Sequence, residues 1–455
     1  MTTSLKHTLV KKILGPMGLP LSGNLYHLRR DILARLLADH RKYGDVMKYR
    51  VGATRYVVLS KPEYIRHVLH EHKDNYSKDS LSNEQIRLIT GYSLLTLHGD
   101  AWHQQRRRMQ GAFRKGAVAN YLGDMKADTD NMIHRWNAAP DSTVAVTQEM
   151  SALTYSIVGK ALFGANMQHS GVLIHDALDI ALAYVYRRIQ SIVRLPLWGL
   201  TSQQRQFKNA VRQFDTAVDQ IIDQRLHDHS VQTDLLAKLM TAVDDAEQDQ
   251  VPMTRQQLRN ELVTLLLAGH ETTANLMAWC LFELANRPAL QESLFDEMQH
   301  ADLATADVEQ LHRLPLLYQV IQETLRLYPP VWLMERRTLE TDRIDDYEIP
   351  RHTAIIIGPW MMHRHPRYWD HPNDFNPDNF ETSRFKNIPD YVFIPFGKGP
   401  RMCIGMNFAI QEAMIILAKI VQKFRFSNTG SKSPQPIPSI TLRPPKDILI
   451  RIKLR

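Results

Sequence analysis

The sequence predicts a mainly α-helical fold with small β regions split between the two ends of the chain. Three observations carry this. Helical patterns dominate from about residue 62 to residue 300, and the segment 254–286 is one long periodic run. Strand-like runs occur only at 45–60, beyond residue 330 and in the tail. No internal repeat or low-complexity linker divides the 455 residues, so 1–455 is expected to form one compact domain.

Taken in order, GPMGLPLSGNLYHL is rich in Gly and Pro and reads as irregular backbone. Residues 30–43 look helical. DVMKYRVGATRYVVLS (45–60) reads as a β-hairpin with Gly52 near its turn. A loop around 77–97 precedes Trp102, and RLPLWGL (194–200) separates two helices. Pro288 lies just beyond the long run, where a helix cannot readily continue. A helix at 312–328 closes on Tyr328, Pro329 and Pro330. TLETDRIDDYEIP and TAIIIGPW look like short strands, followed by a meander from 361 to 402. A last helix at 405–424 places Ala409, Ala413, Ile416, Leu417 and Ile420 at helical spacing. The tail SITLRPPKDILIRIKLR looks like strands joined by a turn.

Composition narrows the class. A hydrophobic fraction of 44% suffices for a large core. Two cysteines, Cys280 and Cys403, exclude a disulfide framework and suit a reducing compartment. The opening MTTSLKHTLVKKILG holds only short apolar runs, broken by Lys6, Lys11 and Lys12. It is too short for a membrane span of about 20 apolar residues and has no clear cleavage site. A cytoplasmic protein is expected, with a peripheral membrane contact by this segment left open. The net charge of +8 is dispersed, with local runs at Arg106–Arg108 and Arg114–Lys115, and no nucleic-acid motif accompanies it.

The strongest signal is PFGKGPRMCIGMNFA (395–409). Gly397, Gly399 and Gly405 permit unusual backbone angles and the close approach of a bulky flat group. Cys403 lies immediately before the last helix, whose free N–H groups favour an anionic sulfur and a lowered thiol pKa. Arg401 can reach an anionic substituent nearby. Phe396 can pack against the loop and shield it from water. A lone cysteine is usually a small buried hydrophobe; the combined F-G-x-G-x-R-x-C-x-G arrangement is what points to a metal ligand.

This segment resembles the haem-ligand loop of the cytochrome P450 family. The resemblance runs from about residue 16 to 450 and includes four motifs in order. It implies a P450-type fold with haem b (iron protoporphyrin IX) between the long central helix and the cysteine loop. Cys403 would be the axial ligand to the iron, in a bond that favours O–O cleavage. LLLAGHETTAN (265–275) puts Gly and Thr, poor helix-interior residues, in mid-helix, which suggests a bulge or a ligand approaching the backbone. It resembles the family's oxygen-activation motif, so Thr272 would hydrogen-bond the oxygen being activated and Glu271 would relay protons. Glu323 and Arg326 in QETLRLYPP resemble the family's buried E-x-x-R pair, with Asn379 where an arginine is common. Trp102 and Arg106, four apart on one helix face, are implied to bind a haem propionate, as is Arg337. His363, His365 and His371 fit no standard metal-ligand spacing, and Cys280 reads as core.

The reaction implied is insertion of one atom of O2 into an organic substrate, with electrons from a separate ferredoxin or flavodoxin-type donor and its reductase. No fused donor domain is visible in the sequence. Lys398, Arg108 and Arg114 are expected near a docking face for an acidic donor. The stretches 77–97, 175–215, Leu265–Ala268 and Val331–Met334 are expected to line the substrate pocket. Leu94, Leu95, Val331, Trp332 and Leu333 make it apolar, which points to a fatty acid, terpenoid or carotenoid. The competing readings are a peroxide-using or isomerising haem-thiolate enzyme and a non-catalytic haem sensor. The Glu271–Thr272 pair argues against both.

Overall fold

Helix takes 56% of the computed structural model and strand 12%, so the mainly α expectation holds. Residues 10–138, 142–164, 171–191, 194, 196–227, 234–242, 252–430, 434–446 and 448–455 are described. Lys6 and part of the 194–200 break lie outside them.

The long run is one helix, Arg255–Ala285. Thr254 opens it with a capping box: its hydroxyl accepts from Gln257 N–H at 3.2 Å, and the Gln257 amide oxygen accepts from Thr254 N–H at 2.8 Å. Most of its residues are buried whichever way they point. A helix apolar all round runs through a core rather than along its edge. Helices Val146–Phe163, Ser202–His227, Pro315–Leu327 and Met406–Lys423 pack against it. Pro288 then starts the next helix, in the first turn, where a missing N–H costs nothing.

The hairpin forms as Val46–Val51 against Thr54–Leu59, and Gly52 supplies the positive φ (57°) that its two-residue turn requires. The expected loop at 77–97 is only partly a loop. It contains the helix Leu81–Thr90, which starts at Ser80 and ends at Gly91. Its inward face includes Asn83, Gln85 and Thr90, all buried, so no apolar stripe betrays it in the sequence.

The β portions at the two ends meet in space. One five-stranded sheet runs in the order Val46–Val51, Thr54–Leu59, Ala354–Ile357, Met334–Thr338, Tyr76–Ser77. Only the Thr54–Leu59 and Ala354–Ile357 pair is parallel. A second sheet places the tail strand Leu449–Leu454 between Thr143–Ala145 and Phe424–Asn428. Among the described residues no helix is long and apolar enough to cross a membrane.

Candidate active site

The central helix keeps one accessible stripe. Ala268 is exposed and Leu265, Gly269 and Thr272 are half-buried, while Leu266, Leu267, His270, Glu271 and Thr273 are buried. The spacing i, i+3, i+4, i+7 is one helix face. It is therefore the wall of an interior chamber. The helix runs through this stretch without a bulge. Gly269 serves packing: a Cβ there would meet Val158 Cγ2 at 3.2 Å, so the Val146–Phe163 helix approaches closely. Thr272 donates its hydroxyl to the Ala268 carbonyl at 2.6 Å, the local bond that makes threonine tolerable in a helix.

Cys403 is likewise reachable by solvent although protein surrounds it, which places it on a chamber wall. Its N–H donates to the Phe396 carbonyl at 2.9 Å. Gly397 and Gly399 hold φ of 70° and 76°. A Cβ on Gly399 would lie 2.4 Å from the Leu69 carbonyl oxygen, so glycine is required there twice over. Gly405 differs from expectation. Its φ is −87°, and it acts as the N-cap of Met406–Lys423. The thiol also differs. Burial pushes Cys403 up, against the Gly405 N–H and Arg106, which pull it down. The helix start alone does not produce a thiolate; a bound metal ion would.

Beside the sulfur lies a group of cations. Arg106 senses Cys403. Lys78, Arg336 and Arg401 repel one another. Burial, then its cationic neighbours, pushes Lys78 well below the ordinary lysine range; burial takes Arg336 to about 10, and burial with Arg336 takes Arg401 to about 9. Their N–H groups reach only backbone: Lys78 Nζ to Leu95 O at 2.6 Å, Arg336 Nη1 to Glu335 O at 2.8 Å and Arg401 Nη1 to Leu97 O at 2.9 Å. Arg401 stacks over the Trp102 ring, 4.3 Å from its centroid. Among the described residues none of the four cations forms an ion pair with a carboxylate. Cations crowded in this way, with Arg336 buried and the others half-buried, call for an anion from outside the chain.

This grouping revises one expectation. Met334–Thr338 alternates, burying Arg336 and Thr338. Successive strand residues face opposite sides, so Arg336 joins Lys78 and Arg401, and Arg337 points the other way. The two adjacent arginines cannot be told apart until the buried face of the strand is known.

Glu323 and Arg326 are both fully buried and form a fork-to-fork pair, Nε–Oε2 2.6 Å and Nη2–Oε1 2.7 Å. Arg326 also donates to the carbonyls of His363, Pro372 and Asp374. Asn379 enters this network as an amide, its Nδ2 donating to Glu323 Oε1 at 3.3 Å, and Asn376 N–H donates there at 2.7 Å. Despite Arg326, burial raises the Glu323 carboxyl. His363 completes the frame. Burial holds it neutral, at about 3; Nδ1 donates to Arg326 O and Nε2 accepts from Ile394 N–H at 2.9 Å. It thus ties the E-x-x-R helix to the strand of chain that leads into the Cys403 loop. Both ring nitrogens of His363 are engaged with backbone, a role that no spacing in the sequence signals.

Glu271 points away from the chamber. Its Oε1 accepts from Thr441 Oγ1 at 2.6 Å and from Arg443, which also pairs with Asp179 at 3.3 Å. Adjacent helix residues are about 100° apart, so Thr272 and Glu271 serve different sides. The Glu271 side is a cavity of about 800 Å³ whose lining includes Asp128, Lys160, His270, Glu271 and Arg443. Glu271 Oε2 is buried without a hydrogen bond.

The family model described as Cytochrome P450 matches residues 14–451. The chain belongs to the cytochrome P450 family. Cyclooctatin synthase of Streptomyces melanosporofaciens is 30% identical over 94% of this P450 and 91% of its own length. A cytokinin hydroxylase of Arabidopsis thaliana is 30% identical over 95% and 86%. A pentalenene oxygenase of Streptomyces avermitilis is 26% identical over 99% of both chains. The crystal structure of the cytochrome P450DA heme domain superposes with a TM-score of 0.88 at 22% identity, over 98% of each chain. This P450 is a haem-binding monooxygenase. Its residues fit the group: an accessible sulfur, a chamber wall of small side chains and cations that lack anionic partners.

Two further expectations resolve here. Cys280 is core, and burial pushes its thiol up to about 12. Arg108 is buried at 8% exposure and cannot present its guanidinium to a partner. Arg114 and Lys115 are exposed, and Lys398, 40% exposed, pairs with Asp390 at 3.2 Å.

Proposed function

We propose that residues 1–455 act as one catalytic domain that inserts an atom of O2 into a lipophilic substrate, of the fatty acid, terpenoid or carotenoid class. The observation that carries this is the accessible stripe Leu265, Ala268 and Thr272. It offers mostly hydrocarbon and one hydroxyl. Leu94, packed against the same core cluster as Leu265, and exposed Val331 add apolar side chains, whereas Trp332 is buried in the cluster around Met47 and Trp360 and does not line the chamber as expected. Haem b, when bound, supplies the iron at which O2 is reduced.

In this reading Cys403 is the axial ligand and Phe396 and Gly405 shape its loop. Trp102, Arg106, Lys78, Arg336 and Arg401 hold the propionates, Arg336 replacing Arg337. Thr272 can present its hydroxyl lone pairs to the chamber while its proton stays on Ala268 O. Glu271 passes protons inward from the outer cavity, with Arg443 holding it in place. Glu323, Arg326 and Asn379 keep the proximal frame rigid. Turnover that needs both O2 and an electron donor, with a substrate-induced spin shift by an apolar ligand, supports the reading. Turnover with peroxide alone, independent of donor, or no response to any apolar ligand would overturn it.

The cation group makes a sharper prediction. Losing one charge-assisted contact costs about 1.5–3 kcal/mol. Arg336→Leu should therefore speed haem loss to an apoglobin acceptor about tenfold or more, and Arg337→Leu should leave it near the parent rate. The opposite ranking would restore Arg337 to the site.

Electrons come from a separate acidic ferredoxin or flavodoxin with its reductase. Arg114, Lys115 and Lys398 supply the complementary charge. Arg114→Glu should slow reduction in stopped-flow, and the difference should shrink as salt rises. Equal rates at low salt would remove this face from consideration. We place the protein in the cytoplasm. A peripheral contact of the opening segment with membrane surfaces, where Val10 and Leu14 are exposed, is tested by co-sedimentation with lipid vesicles.

A further inference from the structure

We propose that His67, His72 and Asp342 form a surface site for a divalent transition metal ion of the zinc class. The geometry originates in an unusual turn. Residues His67–Glu71 form a π-helix, closed by His72 N–H donating to His67 O at 2.8 Å. An i→i+5 turn brings residues five apart onto one face, where an α-helix would set them well apart. The two imidazoles stack, with centroids 3.9 Å apart and planes 15° from parallel.

The third group comes from elsewhere in the chain. Asp342 begins the small hairpin Asp342–Ile344 and Tyr347–Ile349. Its Oδ2 accepts from His67 Nε2 at 2.8 Å and from Tyr76 Oη at 2.6 Å. The ligand atoms of all three residues lie within 4.8 Å of one another. Around a tetrahedral zinc with bonds of about 2.0–2.2 Å, neighbouring ligands are roughly 3.4 Å apart. His72 is exposed and can close the difference by side-chain rotation. Two imidazoles and a carboxylate suit zinc, nickel, cobalt or copper rather than calcium or magnesium. Tyr76 fixes the carboxylate from outside, as the supporting residues of metal sites do.

A second cluster shows what a closed arrangement looks like. His40 Nε2 and His365 Nε2 both contact Asp45 Oδ1, at 2.9 and 3.1 Å. There Arg367 N–H donates to His365 Nδ1, so the proton of His365 sits on Nε2 and faces Asp45. Arg367 itself stands 3.8 Å from the Asp45 carboxylate. His365 therefore turns no lone pair toward that cluster, which leaves it with one imidazole fewer to offer a metal. At His67 and His72, among the described residues, no hydrogen bond to the second ring nitrogen fixes the tautomer, so each can turn a lone pair inward.

The site also has a route to the haem loop. The turn it occupies includes Leu69, whose carbonyl oxygen backs directly onto Gly399. A metal that locks the turn therefore bears on the loop that carries Cys403.

The test is calorimetric titration of Zn2+ into the tag-free, haem-loaded protein. One saturable site is expected. His72→Ala and Asp342→Asn should each weaken it about tenfold or more. His70→Ala, an exposed neighbour on the same turn, and His40→Ala should leave it unchanged. No saturable binding would overturn the proposal. So would binding that His72→Ala leaves intact or that His70→Ala abolishes. Because His72 is exposed, its loss should spare the fold, and an unaltered absorption spectrum of the variant checks this.

Discussion

A Cys403→Ser protein is expected to lose turnover to background and to lose the thiolate red shift of its reduced, CO-bound Soret band. The backbone around the residue should survive the change. The bond from residue 403 N–H to Phe396 O does not involve the side chain, and serine fills nearly the same volume. What disappears is the polarisable sulfur donor, which a bound metal ion would ionise. A hydroxyl is far harder to ionise than a thiol and is a weak ligand for iron. Cys280→Ser is the control, since that thiol is buried away from solvent. Its spectrum should keep the red shift. A red shift that persists in Cys403→Ser would remove Cys403 from the iron.

Arg326→Leu is expected to destabilise the protein by about 3–5 kcal/mol, the usual cost of stranding one partner of a buried ion pair. Glu323 would keep only the Asn376 and Asn379 donors, in a place where burial already raises its carboxyl. Glu323→Leu should cost a similar amount, because Arg326 would then hold a buried charge against carbonyls alone. The double variant should cost clearly less than the sum, as coupled neighbours do. Chemical denaturation measures all three. Single variants within about 1 kcal/mol of the parent would show that the pair contributes little. The damage should also reach the cysteine loop, because Arg326 accepts from His363 through its carbonyl and His363 holds Ile394.

The site was legible in proportion to how locally it is encoded. Cys403 with its glycines, and Glu323 with Arg326, sit within a few residues of one another, so spacing alone exposes them. Thr272 and Glu271 were legible as a pair, but not that they face opposite sides, which the helix phase decides. The choice between Arg336 and Arg337 depends on which strand face is buried, a property of the whole sheet. Arg108 looked like a surface charge because its neighbours are charged; only packing buries it. The Leu81–Thr90 helix was hidden because polar residues line its inner face. Gly269 looked like a flexible or ligand-facing point, and the helix it admits is more than a hundred residues earlier in the chain.

The parallel pairing of Thr54–Leu59 with Ala354–Ile357 also sets a schedule for synthesis. The early strand leaves the ribosome about 300 residues before its partner. At roughly 5–20 residues per second, its edge waits on the order of 15–60 s, with only the hairpin strand Val46–Val51 to cover one side. An unpaired apolar edge is an invitation to other chains. The hairpin carries Lys48, Arg50 and Arg55 along its length, and like charge of this kind keeps nascent neighbours apart until the distant half arrives.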